Sequence, residues 1–208
     1  MTLSTCRKPH LGEKIVMHGG LAGCGKTLFS PIISALDRVE LPTYSYEIEQ
    51  YCSLYSLQKL SLQSASTLIR LQTDLKLYNT MMGREVNFRP TDLSSVQMFH
   101  SPTQYFERLF QPGDETIPDV INKKNPILNL IIHNILFISD PIWNALGSRC
   151  IYIEVIRHPL YMVRQNILNM QNLLRKNDVR DFNINYERGE KSYIYWTEGW
   201  EDLFDQSS

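Results

Sequence analysis

His18–Leu36 reads HGGLAGCGKTLFSPIISAL, and its reading decides the fold. An apolar segment, Lys14–Met17, leads into it as a strand; four glycines follow, and the chain leaves through an apolar helix. A loop in that position can point several backbone N–H groups at one anion, and the start of the helix adds roughly half a positive charge. Glycines are needed because side chains would block the approach. Lys26 supplies a full charge. The spacing Gly20-x4-Gly25-Lys26-Thr27, set between strand and helix, points to phosphate binding. ATP or GTP would suit such a loop, but a kinase or NTPase also needs an acid at the end of a neighbouring strand to hold magnesium. Asp140 meets that description; followed by Pro141, it equally meets that of a helix N-cap.

Working outward, the helix from Gly25 places Leu28, Ile32, Ile33 and Leu36 on one face, with Pro31 in its first turns, where a missing N–H costs least. Leu57, Leu60, Leu68, Leu71, Leu75, Tyr78 and Met82 predict a long amphipathic helix with Gln63, Arg70, Gln72 and Lys76 facing water. Prolines punctuate Arg89–Asn125, which reads as short helices and loops. Ile135–Asp140 then reads as a strand, Pro141–Leu146 as a short helix and Cys150–Ile156 as a second strand. Leu160–Lys176 reads as a helix with Met162, Val163, Ile167, Met170 and Leu174 inward. Strands alternating with helices predict an α/β fold, a P-loop-type three-layer α/β/α arrangement around a central parallel sheet. Its ligands belong at the carboxyl ends of the strands. Residues 1–208 read as one domain.

A formal net charge of −1 supplies no general field for polyanions, which argues against a nucleic-acid partner. Cys6, Cys24, Cys52 and Cys150 have neither zinc-site spacing nor the density of a disulfide scaffold, so a reducing compartment is expected. The first residues lack a signal-peptide core, and the apolar run Ile127–Ile138 is broken by Asn129, His133 and Asn134. The expected setting is soluble and cytoplasmic, without a membrane partner.

A second stretch, CIYIEVIRHPLYMVRQNI (Cys150–Ile167), puts Arg157 at the end of a strand and Arg164 and Gln165 on the helix behind it. A guanidinium there can fork onto a phosphate near the first loop. VIRHPLYMVRQ (Val155–Gln165) resembles the 3'-phosphate-binding segment of the sulfotransferase family. In that segment an arginine ends a strand, a proline follows two residues on, and a polar residue, usually serine, sits eight positions after the arginine. Gly20–Leu28 is similar to the family's Gly-Leu-Pro-Arg-Ser-Gly-Thr-Thr-Leu loop, Ser30–Leu36 continues as the family's helix does, and FISDPIWNALGSRCIYIEVIRHP (Phe137–Pro159) has the strand, short helix and strand that the family places between the two motifs. The chain departs from the pattern at three points. Gly23 stands where the family has a lysine or arginine, Lys26 where it has threonine, and Gln165 where it has serine.

The resemblance implies a protein that binds 3'-phosphoadenosine 5'-phosphosulfate and passes its sulfonyl group, without a metal, to a hydroxyl or amine of a small-molecule or glycan acceptor. By position, Gly23, Cys24, Gly25, Lys26, Thr27 and Leu28 would line the 5'-phosphosulfate, and Arg157 and Gln165 would hold the 3'-phosphate. Lys26 would also stabilise charge on the leaving nucleotide, a catalytic role. Many family members close a glycine-rich, basic segment over the adenine nucleotide; nothing after Ser208 supplies it, so the chain is expected to be incomplete there. Family members with a glutamate base carry it on the second strand. TYSYEIEQY (Thr43–Tyr51) occupies that place, with Glu47 and Glu49 alternating on one strand face and Glu47 favoured as the base. His100 and His133 are conceivable bases, though a histidine beside apolar residues more often serves structure, and His158 reads as part of a turn. Two rival readings stand beside this one: a small-molecule kinase using Lys26, Thr27 and Asp140 with ATP and magnesium, and a non-catalytic nucleotide-binding protein.

Overall fold

The computed structural model describes residues 3–174, with side chains as far as 168, and residues 182–205. In chain order the elements are β1 (Ile15–Gly19), α1 (Lys26–Ser34), β2 (Thr43–Tyr44), α2 (Tyr46–Ser56) and α3 (Leu62–Met81). Next come α4 (Thr103–Arg108), α5 (Ile117–Lys124), β3 (Leu128–Ile131), α6 (Asp140–Leu146), β4 (Cys150–Glu154) and α7 (Pro159–Leu174). A hairpin, β5 (Asn185–Arg188) and β6 (Lys191–Ile194), and the short α8 (Glu201–Asp205) follow. Strands β1 to β4 form one all-parallel sheet in the order β2-β3-β1-β4, flanked by helices on both faces. The three-layer α/β/α expectation holds. Because β1 lies between β3 and β4, its carboxyl end opens at the middle of the sheet, where this class of fold binds ligands.

Pleat alternation divides the two faces. Ile15 and Met17 of β1 and their partners Leu128 and Leu130 of β3 pack against Ile48 of α2, Ile69 and Leu77 of α3 and Ile142 of α6. Val16 and His18 turn the other way, toward α1. That second face is polar. His18 Nδ1 lies 3.0 Å from Ser30 Oγ, and Asn129 Nδ2 donates to Ser34 Oγ at 2.9 Å and to the Glu40 carbonyl at 3.2 Å. Helix α1 therefore buries Lys26, Ser30 and Ser34 and exposes Leu28 and Ile32, and Leu36 just past its end is also exposed, the reverse of the apolar face read from the sequence.

Five other expectations are corrected. Ile135–Asp140 is not a strand; the strand is Leu128–Ile131, and Asn129 within it, whose Nδ2 donates to Ser34 Oγ and the Glu40 carbonyl, does not break it. TYSYEIEQY is strand only at Thr43–Tyr44, after which Glu47 and Glu49 occupy the first turn of α2, where carboxylates are favoured by the helix dipole. Strand β4 stops at Glu154, three residues before Arg157. In α3 the inward face is rotated from the expected one. Lys76 is buried, with Nζ 3.4 Å from Glu47 Oε1 and 3.3 Å from Glu85 Oε1, while Leu71 and Leu75 are exposed. Asp74 is buried on the same helix because Arg7 Nε and the Leu11 amide donate to it. In α7, Met162 is buried, Val163 and Ile167 are exposed, and the side chains of Met170 and Leu174 lie outside the described residues. Among the described residues no helix is long and apolar enough to cross a membrane.

His18 is fully buried, and among the described residues its Nε2 has no partner. Burial lowers its pKa from 6.5 to about 4. The folded chain thus resists protonating a ring that the unfolded chain protonates below about pH 6.5, so the unfolded state binds more protons in that window. Stability should fall as pH drops from about 6.5 toward 4, by ~2–3 kcal/mol from this group. Urea unfolding across that range should show a shallower pH slope for His18→Asn than for the wild type; equal slopes would refute the assignment.

Candidate functional site

The loop after β1 carries Gly20, Gly23 and Gly25 at φ of 135°, 84° and 108°. Gly23 shows why such positions are glycine: a Cβ there would press into the Gln165 side chain on top of the strain of its positive φ. Helix α1 starts at Lys26 from Gly25, so its first N–H groups face the loop with no capping side chain. Lys26 is 3% exposed and donates from Nζ to the carbonyls of Gly20 at 3.1 Å and Leu21 at 3.2 Å. Burial lowers the pKa of its ammonium, and the fields of Cys24, Glu49 and Glu154 act in the opposite sense. Cys24 is buried, Thr27 is half-buried with Oγ1 3.4 Å from Tyr44 Oη, and Leu28 projects outward on α1.

The β4–α7 connection reaches the same loop. Arg157 Nη1 donates to the Gly23 carbonyl at 3.2 Å, and its guanidinium lies 5.6 Å over the Tyr161 ring. Gln165, from the first half of α7, packs against Gly23. Two segments 134 residues apart thus meet at one glycine, leaving the exposed Arg157 guanidinium beside the glycine-rich loop. Arg164 is exposed on α7.

On the other side of β1, β3 ends at Ile131 and the chain continues through Ile132 and His133. Glu49 of α2 reaches this point: one carboxylate oxygen accepts from the His133 amide at 2.9 Å and lies 2.9 Å from His133 Nδ1. Tyr44 and Tyr46 stack on the imidazole, each with ring centres 5.9 Å away. With Nδ1–H donating to the carboxylate, Nε2 keeps its lone pair and can accept a proton. Glu154, at the end of β4, stands opposite Gly19, where it and Tyr152 occupy the space a Cβ would need. Burial raises its carboxyl pKa, opposed by the Tyr152 hydroxyl and by Lys26.

The remaining sequence candidates fall elsewhere. Glu47 is on α2, with Oε2 accepting from Ser45 Oγ at 3.3 Å and Oε1 facing Lys76. Asp140 is the exposed first residue of α6 and does not end a strand, so the position expected for a magnesium-binding acid is corrected. His158 accepts from the Leu160 amide at 3.3 Å, as a turn residue should, and His100 is exposed against Phe99. Glu49 and His133 are each conceivable as a base from the sequence, but their pairing, and Glu154 as a site group, escape it. The only linear signal for the pair was a histidine closing the apolar run Ile127–Ile132. No family model matches the chain, and no curated protein or solved structure matches it.

Proposed function

We propose that the chain binds an adenine nucleotide bearing a 3'-phosphate and acts as a sulfotransferase, passing the sulfonyl group of 3'-phosphoadenosine 5'-phosphosulfate to a hydroxyl or amine. The observation that carries this reading is the meeting of Arg157 and Gln165 with the phosphate loop at Gly23. One phosphate on the loop and a second beside Arg157 fit a nucleotide phosphorylated at both ends of its ribose. The amides at the start of α1 and Lys26, turned from the loop carbonyls to the donor, would hold the phosphosulfate. In the transfer the acceptor oxygen or nitrogen bonds to sulfur, and the bond from sulfur to the bridging oxygen breaks. The electron pair leaves on the nucleotide phosphate, where Lys26 balances it. The acceptor proton passes to His133 Nε2, with Glu49 holding the ring and stabilising the imidazolium. His133 takes the base role in place of Glu47 because Glu47 faces Lys76, whereas the imidazole lies two residues beyond the carboxyl end of β3, the strand beside β1.

Calorimetric titration tests the reading. Adenosine 3',5'-bisphosphate should bind more tightly than adenosine 5'-phosphate, and Arg157→Ala should erase a preference of about 1.5–3 kcal/mol, the scale of a charged hydrogen bond. Chelator should leave both results unchanged. A magnesium-dependent preference for ATP, indifferent to the 3'-phosphate and abolished by Glu154→Gln, would overturn the proposal in favour of phosphoryl transfer.

A further inference from the structure

Tyr44 stands between the end of the glycine-rich loop and His133. In the sheet it pairs with Ile131 of β3, which pairs in turn with His18 of β1, so its side chain rises on the face that carries α1. There its hydroxyl lies 3.4 Å from Thr27 Oγ1, in the first turn of that helix. Its ring is nearly parallel to the His133 imidazole, with 3° between the planes and 5.9 Å between the centres, an offset stack. One residue thus meets the hydroxyl that ends the loop with its tip and the imidazole with its ring.

The contacts on the imidazole divide its restraint. Glu49 Oε1, 2.9 Å from Nδ1, fixes the rotation of the ring within its plane, and Tyr44 and Tyr46 fix the plane itself. The two tyrosine centres are 6.1 Å apart, nearly the distance of each from His133, so both rings stand to one side of the imidazole, and 24% of its side chain stays exposed. The far end of Tyr44 is less settled. At 3.4 Å either hydroxyl of the Thr27–Tyr44 contact can be the donor. An anion removes that freedom. A phosphate oxygen only accepts, so a phosphate on the loop takes the Thr27 proton and leaves Thr27 Oγ1 as the acceptor for Tyr44. Two hydroxyls pointing in series toward an anion polarise each other and strengthen both bonds.

Resting on the sulfotransferase reading, we propose that Tyr44 is a positioning residue that couples donor binding on the loop to the orientation of His133. The donor phosphate draws the Thr27 proton, Thr27 accepts from Tyr44, and the tyrosine ring, now held at its tip as well as at its backbone, fixes the plane of the imidazole. With the loop empty the ring is held at its tip only by the long contact, and the imidazole plane moves with it. The base is thereby set when a group is present to be transferred.

The test reads the imidazole by magnetic resonance on the full chain carrying isotope-labelled histidine. The chain has five histidines, and the His133 signals are the ones lost in His133→Ala. Saturation with adenosine 3',5'-bisphosphate should move the His133 ring signals of the wild type. Tyr44→Phe keeps the ring and its stack and loses only the hydroxyl. It should melt within about 2 °C of the wild type and bind the bisphosphate within about twofold, yet lose most of the His133 shift. Thr27→Ser, which keeps the relaying hydroxyl, should keep the shift; a tyrosine that only packs would leave it intact in all three proteins. Inorganic pyrophosphate, which needs the loop and no 3'-phosphate site, separates this proposal from the donor reading. If the bisphosphate does not bind but pyrophosphate moves His133 in the wild type and not in Tyr44→Phe, the donor reading fails and the coupling stands. His133 signals that neither ligand moves, or that move as far in Tyr44→Phe as in the wild type, overturn the proposal.

Discussion

His133→Ala should lower turnover by about 10²–10⁴-fold, the range for a positioned general base, while leaving affinity for adenosine 3',5'-bisphosphate within about twofold. In the proposed transfer the imidazole takes the acceptor's proton and does not touch the donor, so its loss should appear in kcat and not in donor binding. Glu49→Gln should produce a smaller loss and shift the pH profile of kcat, because the amide no longer stabilises the imidazolium or holds the tautomer with Nε2 free. Glu47→Gln should have little effect on turnover, since that carboxylate faces Lys76 and Ser45. The reverse pattern, an active His133→Ala and an inactive Glu47→Gln, would return the base to the residue favoured by its offset from the loop. Steady-state kinetics on the four proteins, with titrations of the bisphosphate, separates these outcomes.

The second large effect is on stability. Glu40 and Arg108 form a two-pronged pair, Nη1 to Oε2 at 2.8 Å and Nη2 to Oε1 at 2.9 Å, and are 5% and 7% exposed. Tyr105 donates its hydroxyl to Glu40 Oε2 at 2.7 Å and accepts from the Leu41 amide at 2.9 Å, tying α4 to the chain that enters β2. Burial, reinforced by Glu40, holds the phenol far above its ordinary pKa, so it acts only as a neutral donor and acceptor. Arg108→Met should cost about 3–5 kcal/mol in urea unfolding, because it leaves Glu40 buried without a cation. Arg108→Met with Glu40→Gln should recover much of that loss, since no bare charge remains. A single-variant loss below about 1 kcal/mol would show that water relieves the carboxylate and that the pair does not hold this wall together.

The β1–loop–α1 unit was legible because its causes are local: glycines where φ is positive, a lysine in the first helical turn, and an apolar strand before them. Arg157 and Gln165 were legible for a similar reason, as both hang on one strand-turn-helix whose direction follows from its own residues. The failures share a different cause. Asn129 looked like a break in an apolar run, and only its bonds to Ser34 and the Glu40 carbonyl make it a strand interior. Lys76 looked like a solvated residue until Glu47 and Glu85 closed on it from other elements. The outward leucines of α1 and α3 misled for the same reason, since buried polar partners, not periodicity, set which side faced inward.

By itself, then, the sequence determined that a parallel α/β sheet carries a glycine-rich loop with a lysine at the end of its first strand. It also determined that an arginine follows a later strand of the same sheet, because strand, turn and helix preferences act over a few residues. Only the tertiary structure decided which acid stands beside which base. Glu49 and His133 are 84 positions apart, and no local preference states that α2 will carry a carboxylate to the end of β3. The layering of α2 over the sheet brings the two together, and burial then makes their pairing necessary, since a polar group withdrawn from water must find its partner within the fold.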